Sequence, residues 1–150
     1  MNTSVETSLV IADFDNHLHR DQVVALWKNV FGYPDPHNAP ELAIDKKLEV
    51  NDRLFFVAMN GDEVVGTIMA GYDGHRGWIY LVAVTPQCRR QNIGSRLVSH
   101  AEQALTSRGC VKINLEILQS NANVAAFYKS LGFSVENRIT MGKRVSSNIP

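Results

Sequence analysis

The spacing of apolar residues changes several times along the 150 residues of this chain, and each change indicates a new element. Residues 7–14 form a β-type run, and residues 19–31 carry apolar side chains at helical spacing. Three prolines within residues 32–40 predict a loop, and residues 41–50 have the pattern of a short amphipathic helix. The apolar faces of these two helices consist of Val23, Val24, Trp27 and Val30 or Phe31, and of Leu42, Ile44 and Leu48.

The middle of the chain has the pattern of antiparallel strands. Two β-rich runs flank Asn60-Gly61, which is a strong hairpin signal. The glycine-rich residues 71–77 lead into residues 78–84, whose nearly continuous apolar character predicts a buried strand. Because residues 71–77 join two strands, we interpret them as a solvated turn. The alternative is that four polar side chains of this turn contact an acceptor substrate or a partner subunit: Tyr72, Asp73, His75 and Arg76.

The last third of the chain alternates between helical and β-type patterns. Apolar residues recur at helical spacing from Ile93 to Leu105, and Gly109 ends that stripe. Residues 111–118 are predicted as a strand and residues 121–132 as a helix. Residues 133–145 are predicted to form two final strands.

The order of these elements is β-α-α-β-β-β-α-β-α-β-β. It predicts a single α/β (α+β) domain over residues 1–150, with a mixed sheet. The N-terminal half of the sheet is expected to be antiparallel, with one parallel strand-helix-strand crossover after it. Gly132 is expected to end the last helix in a left-handed conformation, with Phe133 making the apolar contact that accompanies such an end.

Composition narrows the class of protein. Lys and Arg number 15, as do Asp and Glu, and this zero net charge argues against a nucleic-acid partner. No apolar run reaches the length of a membrane span, and the N-terminus lacks a signal-peptide pattern. Cys88 and Cys110 have no framework spacing, so we expect free thiols in a cytoplasmic protein. The five histidines are scattered without partners at ligand spacing, so no metal site is expected.

The junction at residues 81–98 is the strongest candidate for a binding site. A buried strand runs through a short loop into an amphipathic helix, whose free N-terminal amides and dipole favour an anion. Asn92 and Gly94 are residue types that readily take left-handed conformations. An ordinary basic helix start remains the alternative. The loop lacks the Walker lysine and the G-x-G-x-x-G pattern, so neither ATP nor NAD is favoured.

The same loop resembles that of a known family. The pattern V-x-P-x-x-R-R-x-N-I-G-S over residues 84–95 is similar to the acyl-CoA pyrophosphate loop of the GNAT N-acetyltransferases, with Arg89, Asn92 and Gly94 at the matching positions. Asn92 stands where the family usually has glycine. Because asparagine tolerates positive φ, we expect the loop conformation to be kept.

A second motif supports the resemblance. Residues 115–133 are similar to the family's L-E-V-x-x-x-N-x-x-A-x-x-x-Y-x-x-x-G-F, with Asn121 and Tyr128 at the positions of the CoA-contacting asparagine and the catalytic tyrosine. Glu116 stands where some protein-acetylating members have a base. The turn at residues 71–77 resembles that of a small bacterial subgroup, the YpeA-type acetyltransferases.

The resemblance implies acetyl-CoA as co-substrate and no metal. Tyr128 is then the expected general acid and Glu116 a candidate base, while a core tyrosine and an exposed or paired glutamate are their plainer alternatives. Asn121 is expected to hydrogen-bond the CoA arm, and capping its helix is the alternative. The residues that the resemblance assigns to acetyl-CoA are Val82, Ala83, Val84, Arg89, Arg90, Gln91, Asn92, Ile93, Gly94, Ser95 and Asn121.

The expected activity is transfer of an acetyl group to a primary amine of a small molecule or protein, directly within a ternary complex. No nucleic acid and no membrane is expected as a partner, and a homodimer is left open. The alternative is a non-catalytic acyl-CoA-binding sensor that keeps the fold, which the departure at Asn92 favours and Tyr128 together with Glu116 argues against.

Overall fold

The computed structural model describes residues 9–33, 39–89 and 91–146. The chain divides into two compact units, Met1–Leu115 and Glu116–Pro150, and each is described by itself. The expectation of a single domain over residues 1–150 stays a prediction.

The first unit is built on one five-stranded mixed sheet. Its strands lie in sequence order, with β1 to β4 antiparallel to their neighbours and β4 parallel to β5. This confirms the mixed α/β class, the antiparallel first half and the single crossover. The strands are β1 (Leu9–Asp13), β2 (Phe55–Asn60), β3 (Glu63–Tyr72), β4 (Gly77–Val84) and β5 (Ile113–Asn114).

In the described part of the first unit, three helices cover the sheet: α1 (Asn16–Phe31), α2 (Ala39–Val50) and α3 (Ile93–Thr106). Asp15 caps α1 by accepting a hydrogen bond from the Leu18 amide. Residues 34–38, most of the predicted proline-rich loop, lie outside the described residues. None of the helices among the described residues is long and apolar enough to cross a membrane.

One face of the sheet packs against α1 and α2. The core on this side joins Val23, Leu26 and Trp27 of α1 with Ile44 of α2 and with residues of β2, β3 and β4. The predicted stripe of α2 is partly wrong, because Leu48 is 40% exposed. The residue before it, Lys47, is buried, and its ammonium donates a 2.9 Å hydrogen bond to the carboxylate of Asp52.

The opposite face packs against α3. Phe55 stacks on Trp27 of α1, whereas its neighbour Phe56 meets His100 of α3, as the alternation of side chains along a strand requires. Ile93 and Leu97 of α3 are fully buried, so the N-terminal turns of this helix lie directly on the sheet.

The glycine-rich stretch that precedes β4 is a tight turn. The carboxylate of Asp73 accepts 2.7 Å hydrogen bonds from the amides of His75 and Arg76. These two hydrogen bonds lower the pKa of the exposed Asp73. The stretch therefore has the turn geometry expected from the sequence, with Gly74 at positive φ.

Within residues 116–146, the second unit contains one short helix, α4 (Ala125–Ser130), preceded by a 3₁₀ segment, Gln119–Val124. The predicted helix over residues 121–132 is thus shorter and begins later. β5 covers two residues of the predicted strand 111–118, and residues 131–146 form none of the two predicted final strands. Within this segment, the side chains of Val135 and Ile139 are 78% and 90% exposed.

Candidate active site

A bulge interrupts β4 in its middle. Thr67 pairs with Ala83 and Met69 pairs with Tyr80, so two residues of β4 oppose one residue of β3. Leu81, one of these two, has φ 51°, which is unusual for a bulky side chain and costs on the order of 1–3 kcal/mol. The local structure around the bulge must therefore compensate for this conformation.

Two buried polar side chains lead from helix α1 to the bulge. The indole Nε1 of Trp27 donates a 2.9 Å hydrogen bond to the hydroxyl of Thr67. That hydroxyl lies 3.0 Å from the carbonyl oxygen of Leu81 and donates to it. Trp27 and Thr67 are both fully buried, so their polar atoms depend on these two hydrogen bonds and not on water.

Beyond its first two residues, one edge of β4 has no neighbouring strand within residues 9–33, 39–89 and 91–115. β5 pairs with Gly77 and Trp78 only. Among the described residues of the first unit, no strand pairs with that edge from Ile79 to Val84. The backbone of Val82, Ala83 and Val84, predicted to hold acetyl-CoA, lies on this part of β4.

Helix α3 begins with an open N-terminus just after β4. Asn92 precedes the helix with φ 63° and ψ 17°, as expected for an asparagine that replaces glycine. Its side chain does not cap the helix. The amides of Ile93, Gly94 and Ser95, the first three residues of the helix, have no carbonyl partner within it. Their partial positive charge makes this end of α3 suitable for an anion.

The loop between β4 and α3 turns through a short 3₁₀ segment, Pro86–Cys88. Arg89 folds back on it, and its Nε donates a 3.3 Å hydrogen bond to the carbonyl oxygen of Val84. Burial, with a smaller contribution from the Glu63 carboxylate, raises the pKa of the Cys88 thiol. Cys88 therefore lacks the lowered pKa of a reactive cysteine.

In the second unit, Tyr128 is the buried residue of α4, with 9% of its surface exposed. Its ring meets the rings of Phe127 and Phe133 edge to face, with centroids 4.9 and 5.8 Å away. The Phe133 amide donates to the Tyr128 carbonyl, and the Gly132 amide to that of Lys129, which is the Schellman pattern of a helix end. The predicted roles of Gly132 and Phe133 in ending this helix are confirmed.

A family model described as "Acetyltransferase (GNAT) family" matches residues 20–133. The chain belongs to the GNAT acetyltransferase family. An acetyltransferase of Pectobacterium atrosepticum is 39% identical over 125 residues, which cover 83% of this chain and 88% of that protein. The resemblance stated from the sequence is thus confirmed at the level of the family.

Solved structures with the same fold are more distant in sequence. The aminoglycoside N-acetyltransferase AAC(6')-Iy, in complex with CoA, has a TM-score of 0.75 at 18% identity and covers 92% of this chain and 95% of its own. A putative acetyltransferase of Pyrococcus horikoshii has a TM-score of 0.74 at 21% identity. That match covers 86% of this chain but spans only 44% of the length of the Pyrococcus protein.

Within this GNAT domain, most of the residues predicted to bind acetyl-CoA follow one another along the chain. The stretch from Val82 to Ser95 forms the end of β4, the loop and the start of α3, apart from Arg90, which lies outside the described residues. Their role in binding stays a prediction.

The predicted site residues of the second unit lie in different surroundings. Tyr128 is buried, whereas Glu116 and Asn121 are exposed. Glu116 follows the end of β5 instead of lying within a strand. Asn121 lies within the 3₁₀ segment, and its side chain makes no cap to α4, which begins after Val124.

The sequence interpretation missed Trp27 and Thr67 as a pair. Trp27 was assigned to an apolar stripe, and Thr67 stands inside an apolar strand without any motif around it. The one available signal was a hydroxyl in a strand expected to be buried, since buried polar groups require partners.

Proposed function

We propose that this protein transfers the acetyl group of acetyl-CoA to a primary amine, directly within a ternary complex. The observation that carries the proposal is the succession of two backbone features in the described part of the first unit. One is the edge of β4 that pairs with no strand there beyond Trp78, and the other is the N-terminus of α3, which the Asn92 side chain does not cap. Membership of the acetyltransferase family supports the same reading.

The residues around this succession fit acetyl-CoA. The pyrophosphate needs several hydrogen-bond donors at one point. The start of α3 offers the backbone amides of Ile93, Gly94 and Ser95, and Asn92 before them has the left-handed conformation. The pantetheine arm carries amide groups, and the unpaired edge of β4 from Val82 to Val84 offers backbone partners for them. The CoA complex of the structurally similar AAC(6')-Iy supports this choice of ligand.

When bound, acetyl-CoA supplies an acetyl thioester to be attacked by a neutral amine. A backbone amide of β4 beside the bulge can donate a hydrogen bond to an oxygen that gains negative charge. We assign the general acid to Tyr128, because it stands at the position of the family's catalytic tyrosine and burial keeps its phenol pKa above the ordinary value. The phenol is then protonated at neutral pH and able to give up its proton.

The route for the proton of the amine passes through Glu116 or through water. Because the Glu116 side chain is exposed, a water relay is available to it in either case. Because the pKa of Cys88 is raised, its thiol is neutral at neutral pH and a poor nucleophile. This favours direct transfer over an acetyl-cysteine intermediate.

The acceptor is an amine of a small molecule or a protein. AAC(6')-Iy is described as an aminoglycoside acetyltransferase, which makes aminoglycosides one class to test beside polyamines, amino acids and peptides. The free thiols of Cys88 and Cys110 agree with the predicted cytoplasmic location.

The decisive experiment incubates the protein with acetyl-CoA and each member of such an amine panel while free thiol is measured. We expect amine-dependent release of CoA thiol. CoA binding by calorimetry without thiol release on any amine would instead support the sensor alternative. Absence of both would contradict the proposal.

A further inference from the structure

Two hydrogen bonds connect the Trp27 indole to the Thr67 hydroxyl and this hydroxyl to the Leu81 carbonyl, and the donor of each follows from chemistry. An indole nitrogen is a donor only, so the hydroxyl of Thr67 must accept from Trp27. The hydroxyl hydrogen is then directed to the Leu81 carbonyl oxygen, which lies 3.0 Å away and accepts from the hydroxyl. Trp27 thereby fixes the rotation of the Thr67 hydroxyl, and the hydroxyl holds the carbonyl of Leu81.

The Leu81 carbonyl lies in the bulge, where the regular ladder of hydrogen bonds between the strands is disrupted. The register of β3 and β4 shifts between Thr67 and Met69, and a bulged residue is left without its ladder partner. The side chain of Thr67 supplies that partner from the neighbouring strand. The hydrogen bond also fixes the peptide plane between Leu81 and Val82, because the carbonyl oxygen and the next amide belong to one planar unit.

We propose that Trp27 and Thr67 are positioning residues for acetyl transfer. They hold the bulge so that the Val82 amide, which shares a peptide plane with the Leu81 carbonyl, and the β4 edge that follows it keep the orientation needed by the acetyl thioester. This inference rests on the proposed function, in which Val82 to Val84 contact acetyl-CoA. It adds a specific role for two side chains that are fully buried and touch no substrate.

The test compares Thr67→Val, which keeps the shape but removes the hydroxyl, with Thr67→Ser, which keeps the hydroxyl. For Thr67→Val we expect kcat to fall about 10- to 100-fold, since a small misplacement of a reacting group can cost that much. The KM for acetyl-CoA should change far less, because the loop before α3 is untouched. Thr67→Ser should restore most of the turnover.

Two further variants make the comparison specific. Trp27→Phe keeps a large aromatic ring but frees the Thr67 hydroxyl to rotate, so its loss of kcat should be smaller than that of Thr67→Val. Thr106→Val is the matched control, since it makes the same exchange at an exposed position at the end of α3 and should leave kcat and KM unchanged.

A second readout does not depend on turnover. The amide signals and hydrogen-exchange rates of Leu81, Val82 and Ala83, measured by NMR without ligand, should change in Thr67→Val and return in Thr67→Ser. If Thr67→Val does not fold, Trp27→Phe answers the same question through the same signals.

The outcomes separate this inference from the proposed function. A wild-type protein that acetylates no amine would contradict the proposed function, and the NMR signals alone would then decide whether the two side chains position the bulge. An active wild type with unchanged kcat and amide signals in Thr67→Val would overturn the inference. Equal losses of kcat in Thr67→Val and Thr67→Ser would also overturn it, because a packing defect would then explain them.

Discussion

Gly66 offers a test of how α3 is held on the sheet. This residue of β3 pairs with Val84, at the end of the strand that leads into the candidate site. A Cβ added to Gly66 would lie 2.9 Å from Cδ1 of Leu97, 3.2 Å from Cγ2 of Ile93 and 3.0 Å from the carbonyl oxygen of Ala83. All three distances are shorter than an ordinary carbon contact of about 3.5–4.0 Å.

The cost of Gly66→Ala follows from what can move. The end of the Leu97 side chain can rotate away, but the Ala83 carbonyl belongs to β4 and can shift only with the strand. Overpacking of this kind costs about 1–3 kcal/mol, and the replacement of glycine within a strand returns about 0.5–1 kcal/mol. Because one of the three close contacts is to backbone, we take the upper part of this overpacking range, about 2–3 kcal/mol. The expected net loss is then about 1–2.5 kcal/mol, which lowers Tm by about 2–10 °C in a protein of this size.

The assay is thermal and urea unfolding of Gly66→Ala beside Gly71→Ala. Gly71 is on the same strand, and the nearest atom to its added Cβ, the Tyr80 hydroxyl oxygen, is 3.8 Å away, so this control should be neutral or slightly stabilising. Gly66→Ala should also weaken CoA binding, because α3 must move away from the sheet. Wild-type stability and wild-type CoA affinity in Gly66→Ala would refute this account of the packing.

The remaining predictions concern the candidate site itself. Gly94→Trp should abolish CoA binding in calorimetry while the circular dichroism spectrum is kept, and retained binding would show that the anion site lies elsewhere. Tyr128→Phe should lower kcat by about 10²-fold or more with little change in acetyl-CoA affinity, and unchanged turnover would exclude Tyr128 as the acid. Burial raises the pKa of Tyr128, so its phenol should stay protonated up to and beyond a pH of about 10. We therefore expect kcat to fall only as the pH rises through this raised pKa. A fall of kcat at a pH well below 10, present in wild type and absent in Tyr128→Phe, would contradict this. Cys88→Ser should retain turnover. Loss of turnover in this variant, together with an acetylated Cys88 in the wild type, would overturn direct transfer.

The first unit was predictable from the sequence because its elements follow from apolar spacing and turn signals. The hairpin at Asn60-Gly61, the turn at Asp73 and the helix from Ile93 each depend on neighbours within a few residues. The left-handed conformation of Asn92 was also predictable, since few other residue types accept it.

The bulge and its hydrogen bonds were not predictable in this way. Trp27 and Thr67 are 40 residues apart, and their contact exists only once α1 lies on the sheet. Leu81 carries no local sign of its positive φ, because leucine is a residue type that avoids that conformation. Tertiary contacts alone select it.

The errors at the end of the chain have a different physical origin. Two strands were predicted over residues 133–145, but an apolar side chain stabilises a strand only when it is buried, and Val135 and Ile139 are mostly exposed. Lys47 of α2 is the opposite case, a charged side chain that is buried. Its ion pair with Asp52 allows this charge in the core.

The most direct test of the central claim uses acetyl-CoA labelled in its acetyl group. The protein is mixed with this substrate and the amine panel, and mass spectrometry follows the label on the amines and on the protein itself. We predict that the label appears on an amine nitrogen and never on Cys88. Label that stays on acetyl-CoA with every amine, although CoA binds, would contradict the claim that this chain is an N-acetyltransferase.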